Sequence, residues 1–334
     1  MNVKLFSVTV ITALLSIVIV ACEPTDKNEN PSDNIPPLLD EWWKQIESGG
    51  ETLGDLRYKI EDGEIKIIRY EGEGGIVTIP AEIEELSVTS IGIHAFRETK
   101  LTDVVIPDSV ISIGNNAFRY NQLASVIIPD SVTFIGESAF YRNQLTSVII
   151  PDSVTSIGES AFYRNQLASV IIPDSVTSIG NNAFRDNQLA DVIIPDSVTS
   201  IEGGTFAGNQ LASVIIPDSV TFIGESAFYG NLLTSVVIPD SVISIERWAF
   251  SGKRHANLVI PEGGPDFSSD WFTGSSLVEI TIGVNVSLNR DAIGGVLIDG
   301  SYIPSGFVET YSNNGRLAGT YTRPDTDSND WTRQ

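Results

Sequence analysis

Hydrophobic and polar positions recur with a period of 22 residues through the middle of the chain. Leucines at this spacing each open a near-copy of LTSVIIPDSVTSIGESAFYRNQ, at residues 101, 123, 145, 167, 189, 211 and 233. Nine of the fourteen phenylalanines keep the same spacing, from Phe96 to Phe272. A fixed period of this length is typical of repeat proteins, in which each unit is one supersecondary element. The pattern therefore predicts one elongated array rather than two separate domains.

The first half of each repeat predicts a strand followed by a turn. In the unit that starts at Leu145, this leucine, Val148 and Ile150 follow L-x-x-L-x-L, the strand signature of leucine-rich repeats. Pro151 lacks an N–H group and ends strand pairing. The Asp-Ser pair at 152–153 favours a turn. We expect the three apolar side chains to point into the core.

The second half of the repeat predicts a second short strand and a closing turn. Val154 and Ile157 point inward again, Gly158 permits a bend, and Phe162 closes the wall of the core. An asparagine then follows, whose side-chain amide can satisfy backbone groups at a corner. It recurs at residues 121, 143, 165, 187, 209 and 231.

A single repeat buries too little apolar surface to offset the entropy of ordering 22 residues, so the units must stack and the ends must be capped. Residues 56–70 alternate around Asp62-Gly63 and predict a β-hairpin. Residues 307–321 predict another hairpin around Asn314-Gly315. Each hairpin can pair the exposed edge of a terminal rung.

The N-terminus has the order of parts of a secretory signal peptide: Lys4, a largely apolar run from Leu5 to Val20, and the small Ala21. A transmembrane anchor is the alternative, although the run is shorter than the ~20 residues that a spanning helix needs. Residues 19–22, Ile-Val-Ala-Cys, resemble the lipobox of bacterial lipoproteins. That resemblance implies that Cys22 becomes the lipidated N-terminus.

These features divide the chain into six segments. We expect a lipoprotein signal peptide at 1–21 and an acidic, Pro-rich tether at 22–54, with a short helix over 38–46. An N-terminal hairpin cap and a degenerate first repeat follow at 55–100, and the regular repeats at 101–254. Degenerate terminal repeats occupy 255–300, and a C-terminal hairpin cap and tail occupy 301–334.

Composition excludes several classes of function. A net charge of −23 argues against binding to nucleic acid or to an anionic membrane surface, which requires clustered Lys and Arg. One cysteine cannot form an internal disulfide or a Cys-ligated zinc site, and two histidines leave little for a His-based metal site. We therefore expect no cofactor.

The repeated IPDSVTSIG…AF blocks and the segment from Gly74 to Phe96, GGIVTIPAEIEELSVTSIGIHAF, resemble the BspA-type leucine-rich repeat family over about residues 55–290. The resemblance implies a β-rich repeat solenoid: a right-handed leucine-rich-repeat superhelix with 22-residue repeats, short helical turns and β-hairpin caps. Members are typically bacterial cell-surface adhesins that bind host matrix proteins or other microbes. The family defines no catalytic residues, so we expect a non-enzyme.

Two outward positions of the strand segment form the candidate binding site, on the concave side that the resemblance implies. The fifth position is an uninterrupted β-branched column: Val105, Ile127, Ile149, Ile171, Ile193, Ile215 and Val237. The third position adds Ser125, Ser147, Ser169, Asp191 and Ser213. With rungs ~4.8 Å apart, seven rungs give an apolar stripe about 29 Å long. A stripe of this size indicates a protein-binding face, and the alternative is that β-branched residues only stabilise neighbouring strands.

Two further position sets carry weaker hypotheses. Seven aspartates follow the prolines and suggest calcium binding, although Asp in this context is an ordinary turn residue: Asp108, Asp130, Asp152, Asp174, Asp196, Asp218 and Asp240. The variable Tyr and Arg residues after each phenylalanine resemble interaction hot spots, but we expect a solvated loop. The acidic segment from Asp325 to Asp330 lacks the glycine and the final glutamate of an EF-hand.

The sequence therefore predicts a lipid-anchored protein of the bacterial cell envelope, exposed at the outer-membrane surface. Its partners are expected to be extracellular or cell-surface proteins of a host or of other microbes. The alternatives are a structural or antigenic coat protein without a specific ligand and a carbohydrate-binding module. A carbohydrate-binding module would require exposed aromatic residues on the strand face, where Ile, Val, Ser and Asp stand instead.

Overall fold

A computed structural model of the chain describes residues 50–252, 257–267, 271–272, 277–284, 286, 307, 314–315, 317–324 and 330–334. The described residues form a β-solenoid of about nine turns. Cys22, the signal peptide and the short helix predicted at 38–46 lie outside the described residues.

The N-terminal end is capped by antiparallel strands, as the hairpin pattern predicts. β1 (Glu51–Leu53) pairs with β2 (Leu56–Glu61), which pairs with β3 (Glu64–Tyr70) across the turn at Asp62-Gly63. Both turn residues have positive φ, 54° and 83°, as a two-residue hairpin requires. The cap therefore begins at Glu51, inside the segment predicted to be a tether.

The second strand predicted in each repeat forms a nearly continuous parallel ladder. It starts where β3 pairs with β6 (Leu86–Ile91), to which the short β5 (Glu82–Ile83) is also paired. Two-residue strands follow at one per rung: β8 (Ser112–Ile113), β9 (Phe134–Ile135), β10 (Ser156–Ile157), β11 (Ser178–Ile179), β12 (Ser200–Ile201), β13 (Phe222–Ile223), β15 (Ser244–Ile245) and β17 (Asp266–Phe267). The prediction of a second strand is confirmed.

The L-x-x-L-x-L segments are extended strands only towards the two ends of the array. β4 (Gly75–Thr78) pairs with β7 (Leu101–Val105), and β14 (Ser235–Val237), β16 (Asn257–Ile260) and β18 (Glu279–Ile282) pair in series. In the five rungs between, the segments meet through single-residue parallel bridges from Ile127 to Ile215. The predicted strands are thus reduced to single bridged residues in the central rungs of the array.

The short helical turns expected after each bend are wrong: the repeats at 101–252 contain turns and no helix. Successive backbone N–H groups alternate between a bond within the turn and a bond to the next rung. Ala117 donates to the carbonyl of Gly114, whereas Phe118 donates to the carbonyl of Ala139. Asn116 also has a left-handed φ of 57°. A helix cannot propagate because its N–H groups are used between rungs.

The core is a single column of stacked side chains. From Phe96 to Phe250, rings of successive rungs lie 5.1–5.8 Å apart and within 15° of parallel. In the repeat that starts at Leu145, the six apolar side chains predicted to line the core are all buried, among them Leu145 and Ile157. The stack ends against Trp271, which takes the place of the repeat alanine and meets Phe250 edge-on at 6.2 Å.

The predicted asparagine corner is confirmed as a ladder between rungs. Asn165 donates to the carbonyls of Phe162, in its own rung, and Phe140, one rung earlier. Its side-chain oxygen accepts from the N–H group of Leu145. Five other buried asparagines make the same three bonds: Asn121, Asn143, Asn187, Asn209 and Asn231.

Glycine in the bend allows rungs to approach closely. A Cβ added to Gly158 would lie 2.6 Å from backbone atoms of the previous rung. Glu202 and Glu246 replace this glycine in two rungs. β11 and β12 are not paired at the first of these rungs, whereas β13 and β15 remain paired at the second.

The C-terminal end is covered by antiparallel strands. β19 (Gly319–Thr322) pairs with β18, and β20 (Thr332–Arg333) pairs with β19. The predicted turn at Asn314-Gly315 is present. Except for Phe307, the other arm of that hairpin lies outside the described residues. Phe307 is buried against Tyr321 and Trp331.

Candidate binding face

The β-branched column, Val105 to Val237 in the fifth strand position, lies on the solvent-facing side of the array. Its five isoleucines are 76–84 % exposed and bridge one another in parallel register: Ile127, Ile149, Ile171, Ile193 and Ile215. Val105 and Val237 at its ends are 50 % and 55 % exposed. The inward neighbours on either side of each, such as Val148 and Ile150, are buried, except for Val214, which is partly buried. Buried and exposed side chains therefore alternate along the segment even where only one residue per rung forms a β-bridge.

The third strand position adds small polar groups beside the column. Its five predicted members are all exposed: Ser125, Ser147, Ser169, Asp191 and Ser213. At the first regular rung the carboxylate of Asp103 accepts from the N–H group of Val104. Short side chains at this position leave the isoleucines standing above the surface.

The seven aspartates after the prolines, from Asp108 to Asp240, form an aspartate column, and every member is exposed. The serine beside six of the seven has a structural role: Ser153 Oγ, for example, donates to the carbonyl of Val132 in the previous rung at 2.6 Å. Five other turn serines make the same bond: Ser109, Ser131, Ser175, Ser197 and Ser219. Within the described ranges no three His, Cys, Asp or Glu side chains are grouped to hold a metal ion.

Arginine and tyrosine after the phenylalanines occupy the edge that was expected to be a solvated loop. That expectation is wrong for the central rungs, where Arg119, Tyr141 and Tyr163 are completely or almost completely buried. The guanidinium of Arg119 lies 4.6 Å from the ring centroid of Tyr141, and the rings of Tyr141 and Tyr163 meet at 5.1 Å. Rung-to-rung stacking favours burial because each side chain covers its neighbour. The 22-residue repetition of Tyr and Arg was the signal for this packing.

Asp186 lies beside these arginine and tyrosine side chains. Burial raises the pKa of its carboxyl group, while Arg185 and a hydrogen bond from Tyr163 act in the opposite direction. Arg164 and Arg185 lie 3.7 and 3.9 Å from its carboxylate oxygens. Charge is thus segregated along the regular repeats: four arginines follow the phenylalanines, at Arg119, Arg142, Arg164 and Arg185, while Arg247 precedes Phe250. The segments from the leading leucine to the turn aspartate contain no Lys or Arg.

The N-terminal cap holds a shared proton that the sequence did not indicate. The hydroxyl of Tyr58 lies 3.0 Å from a carboxylate oxygen of Glu51 and 3.1 Å from one of Glu84. Burial, followed by these hydrogen bonds and the negative charges of both glutamates, raises the pKa of Tyr58 to about 12. An open cleft of about 450 Å³ is lined by residues of mixed charge that include Arg69, Glu98 and Lys100.

Two of the three serines of the repeated Gly-Glu-Ser-Ala-Phe segment are inaccessible as nucleophiles, and the third, Ser226, is half-buried. Ser138 and Ser160 are completely buried, and Ser160 has a left-handed φ of 55°. A substrate cannot reach them without separation of the rungs. Of the residues that the structure describes, none forms a helix long and apolar enough to cross a membrane.

The profile of the BspA-type leucine-rich repeat region matches residues 79–190 and 178–294, with six copies. The chain belongs to the BspA-type leucine-rich repeat family. The two matched segments cover most of the solenoid, including every member of the β-branched column. No curated protein matches the sequence.

One solved structure of a bacterial leucine-rich repeat protein shares the fold, and two others give matches with lower TM-scores. A leucine-rich repeat protein from Bacteroides ovatus is 23% identical, with a TM-score of 0.51, over 70% of this chain and 68% of that one. The pneumococcal vaccine antigen PcpA is 20% identical over 71% and 82% of the two chains, with a TM-score of 0.48. A leucine-rich cell surface protein from Faecalibacterium prausnitzii is 23% identical over 75% and 99%, with a TM-score of 0.29.

Proposed function

We propose that this protein is a lipid-anchored bacterial cell-surface protein that uses its repeats to bind extracellular proteins of a host or of other microbes. Cys22 carries the lipid, and the polar residues that follow it connect the array to the outer membrane. The β-branched column and the small polar residues beside it form the contact surface. The protein is not an enzyme.

The exposed isoleucines are the observation that carries this proposal. Five isoleucines in adjacent rungs, each more than three-quarters exposed, form one contiguous stripe rather than scattered surface residues. Contiguous apolar stripes on a soluble surface are typical of interaction sites. The membership of a family rich in bacterial surface proteins supports the surface location.

Binding of the mature full chain, purified from membranes in detergent, tests the proposal. We expect saturable binding at micromolar concentration or below to preparations of extracellular matrix or of bacterial surfaces. The triple variant I149S/I171S/I193S should bind at least tenfold more weakly. The triple variant I111S/F134S/I243S is the matched control, because it removes three exposed apolar side chains outside the column. Absence of saturable binding, or equal weakening by both variants, would contradict the proposal.

A coat protein without a specific ligand is the second candidate. The observation that favours it is the near-identity of the repeats even at exposed positions, with Ile149, Ile171 and Ile193 in almost the same local sequence. A surface coat should show no saturable partner and no dependence on the column. The same binding series therefore separates the two functions.

Mass spectrometry of the N-terminus tests the anchor. We expect the membrane-extracted protein to start at Cys22 with a diacylglycerol thioether. A Cys22→Ser variant should be released from the membrane fraction. An unmodified Cys22 in membrane-extracted protein would contradict lipid anchoring but not partner binding.

A further inference from the structure

Each regular rung carries one member of the β-branched column in its strand segment and one member of the aspartate column in the turn that follows. Ile149 precedes Asp152 by three residues, and the same pair recurs in each rung. Both side chains are exposed in the rungs from Ile127 to Asp218. The surface is therefore an apolar stripe accompanied along its length by one carboxylate per rung.

The charge of this surface is of one sign. In the seven regular rungs, the segments from the leading leucine to the turn aspartate contain the seven column aspartates, two more at Asp103 and Asp191, and no Lys or Arg. Arg119 and Arg142 lie in the other half of the repeat, after the phenylalanines, and stack on tyrosines. Arg247 stacks on Trp248. Their charges therefore do not neutralise the aspartates. A complementary partner must present apolar groups together with cations.

The spacing between rungs favours one type of secondary structure in the partner. Successive rungs are ~4.8 Å apart, an α-helix advances ~5.4 Å per turn, and a strand advances ~6.7 Å between side chains on one face. Over three rungs, the side chains of a partner helix would fall out of register with the rungs by about 2 Å, and those of a partner strand by about 6 Å. A helix of about 19 residues matches the ~29 Å length of seven rungs.

A second copy of this chain would match the spacing but not the charge. Two copies joined through this surface would bring equivalent aspartates, such as Asp152 and Asp174, against one another. The whole chain has a net charge of −23, which adds long-range repulsion between copies. The observations thus favour a cationic partner over self-association.

We propose that the β-branched column and the aspartate column together dock a lysine- and arginine-rich amphipathic α-helix of a protein partner. This inference rests on the proposed binding function and names the class of partner. The apolar face of the helix packs on the isoleucines, and its basic residues pair with the aspartates. Such pairs set orientation and the rate of association, while the apolar stripe supplies the buried area.

Synthetic helices provide the test, with the full mature chain in detergent as the receptor. The probe is a 19-residue peptide with leucines on one face and lysines on the other. One control peptide replaces the lysines with glutamates, and another has the same leucines and lysines in a scrambled order. We expect micromolar binding of the lysine helix, at least tenfold weaker at 500 mM than at 50 mM salt, and no binding of either control.

Two triple variants of equal charge locate the contact. D130N/D152N/D174N should weaken binding of the lysine helix at least tenfold. E73Q/E82Q/E85Q removes three exposed carboxylates of the N-terminal cap and should change it less than threefold. I149S/I171S/I193S should also weaken binding at least tenfold. Equal effects of the two charge variants, no effect of the isoleucine variant, or equal binding of the scrambled peptide would overturn the proposal.

The outcome also separates this inference from the proposed function. If the column-dependent binding to surface preparations persists while the lysine helix does not bind at 100 μM, the partner class is wrong and the function stands. If neither binds, both proposals fail.

Discussion

The side-chain amide of Asn165 donates a hydrogen bond to the backbone carbonyl of Phe140, 2.9 Å away and 25 positions earlier in the chain. This bond joins two rungs, and the other two bonds of Asn165 satisfy Leu145 and Phe162. One side chain therefore bonds to three buried backbone groups, and each of the two carbonyls is shared with the asparagine of a neighbouring rung.

Asn165→Ala should lower the free energy of unfolding by about 2 kcal/mol, because it leaves the buried N–H group of Leu145 without its partner at about 1–3 kcal/mol. The carbonyls of Phe140 and Phe162 keep their bonds from Asn143 and Asn187. Denaturant unfolding followed by circular dichroism measures the change. Gln166→Ala, at an exposed neighbouring position, should stay within about 0.5 kcal/mol of the unaltered protein. A loss below about 1 kcal/mol for Asn165→Ala would show that water replaces the amide.

Phe162→Ala should lower the free energy of unfolding by about 4 kcal/mol, since it removes a completely buried ring and leaves a cavity between Phe140 and Phe184. Ile171→Ala removes an apolar side chain that is 76 % exposed and should have an effect near zero. The comparison uses the same denaturant experiment. Similar losses for both variants would mean that the isoleucine column stabilises the fold.

Gly158→Ala should destabilise the array by several kcal/mol, because the added Cβ would lie 2.6 Å from backbone atoms of the preceding rung. Gly203→Ala is the control, since its Cβ would meet a flexible side-chain oxygen of Asn181 at 3.0 Å. Thermal unfolding of the two variants should differ by several degrees. Equal melting temperatures would show that the rungs move apart to admit the added methyl group without loss of stability.

The raised pKa of Tyr58 predicts a loss of stability at alkaline pH. Its pKa is about 12 in the folded protein and about 10 in an unfolded chain, so the protonated hydroxyl favours folding. This contribution is complete below pH 10 and disappears as the pH rises towards 12. Tyr58→Phe should remove that part of the pH dependence, whereas Tyr229→Phe, at a half-exposed residue, should keep it. Identical pH profiles of the two variants would contradict the assignment.

Glu202→Gly should restore the ladder between β11 and β12. Without the Cβ, residue 202 can come as close to Gly180 in the previous rung as the bend glycines of other neighbouring rungs come to one another. We expect slower hydrogen exchange at the amides of Thr199 and of residue 202. Glu246→Gly should have little effect, because Glu246 already donates to the carbonyl of Ile223 at 2.8 Å. Unchanged exchange in Glu202→Gly would place the cause of the break elsewhere.

The period of 22 residues was sufficient to predict the stacked core and the exposed columns. Phe162 and Ile149 repeat identically in almost every rung, and stacking of identical units gives identical environments. The role of Asn165 followed from its position at a corner, where backbone groups need a partner.

Other features depended on neighbouring rungs and could not be read from one repeat. Tyr141 looks like a surface residue in sequence, but it is buried by Arg119 and Tyr163 of the rungs beside it. The turns do not become helical because Phe118 donates its N–H group to Ala139 rather than within its own turn. Both outcomes depend on competition between contacts within a rung and contacts between rungs.

The asparagine ladder has a consequence for how the molecule can change length. Its bonds join residues 20 and 25 positions apart across neighbouring rungs, and Ile149 bridges residues 22 positions away on both sides. Loss or gain of one 22-residue unit inside the array reconnects every such bond to an equivalent partner. Unequal recombination between the repeated segments of the gene can thus alter the height of the array in steps of ~4.8 Å. Each added rung presents the same side chains to the outside.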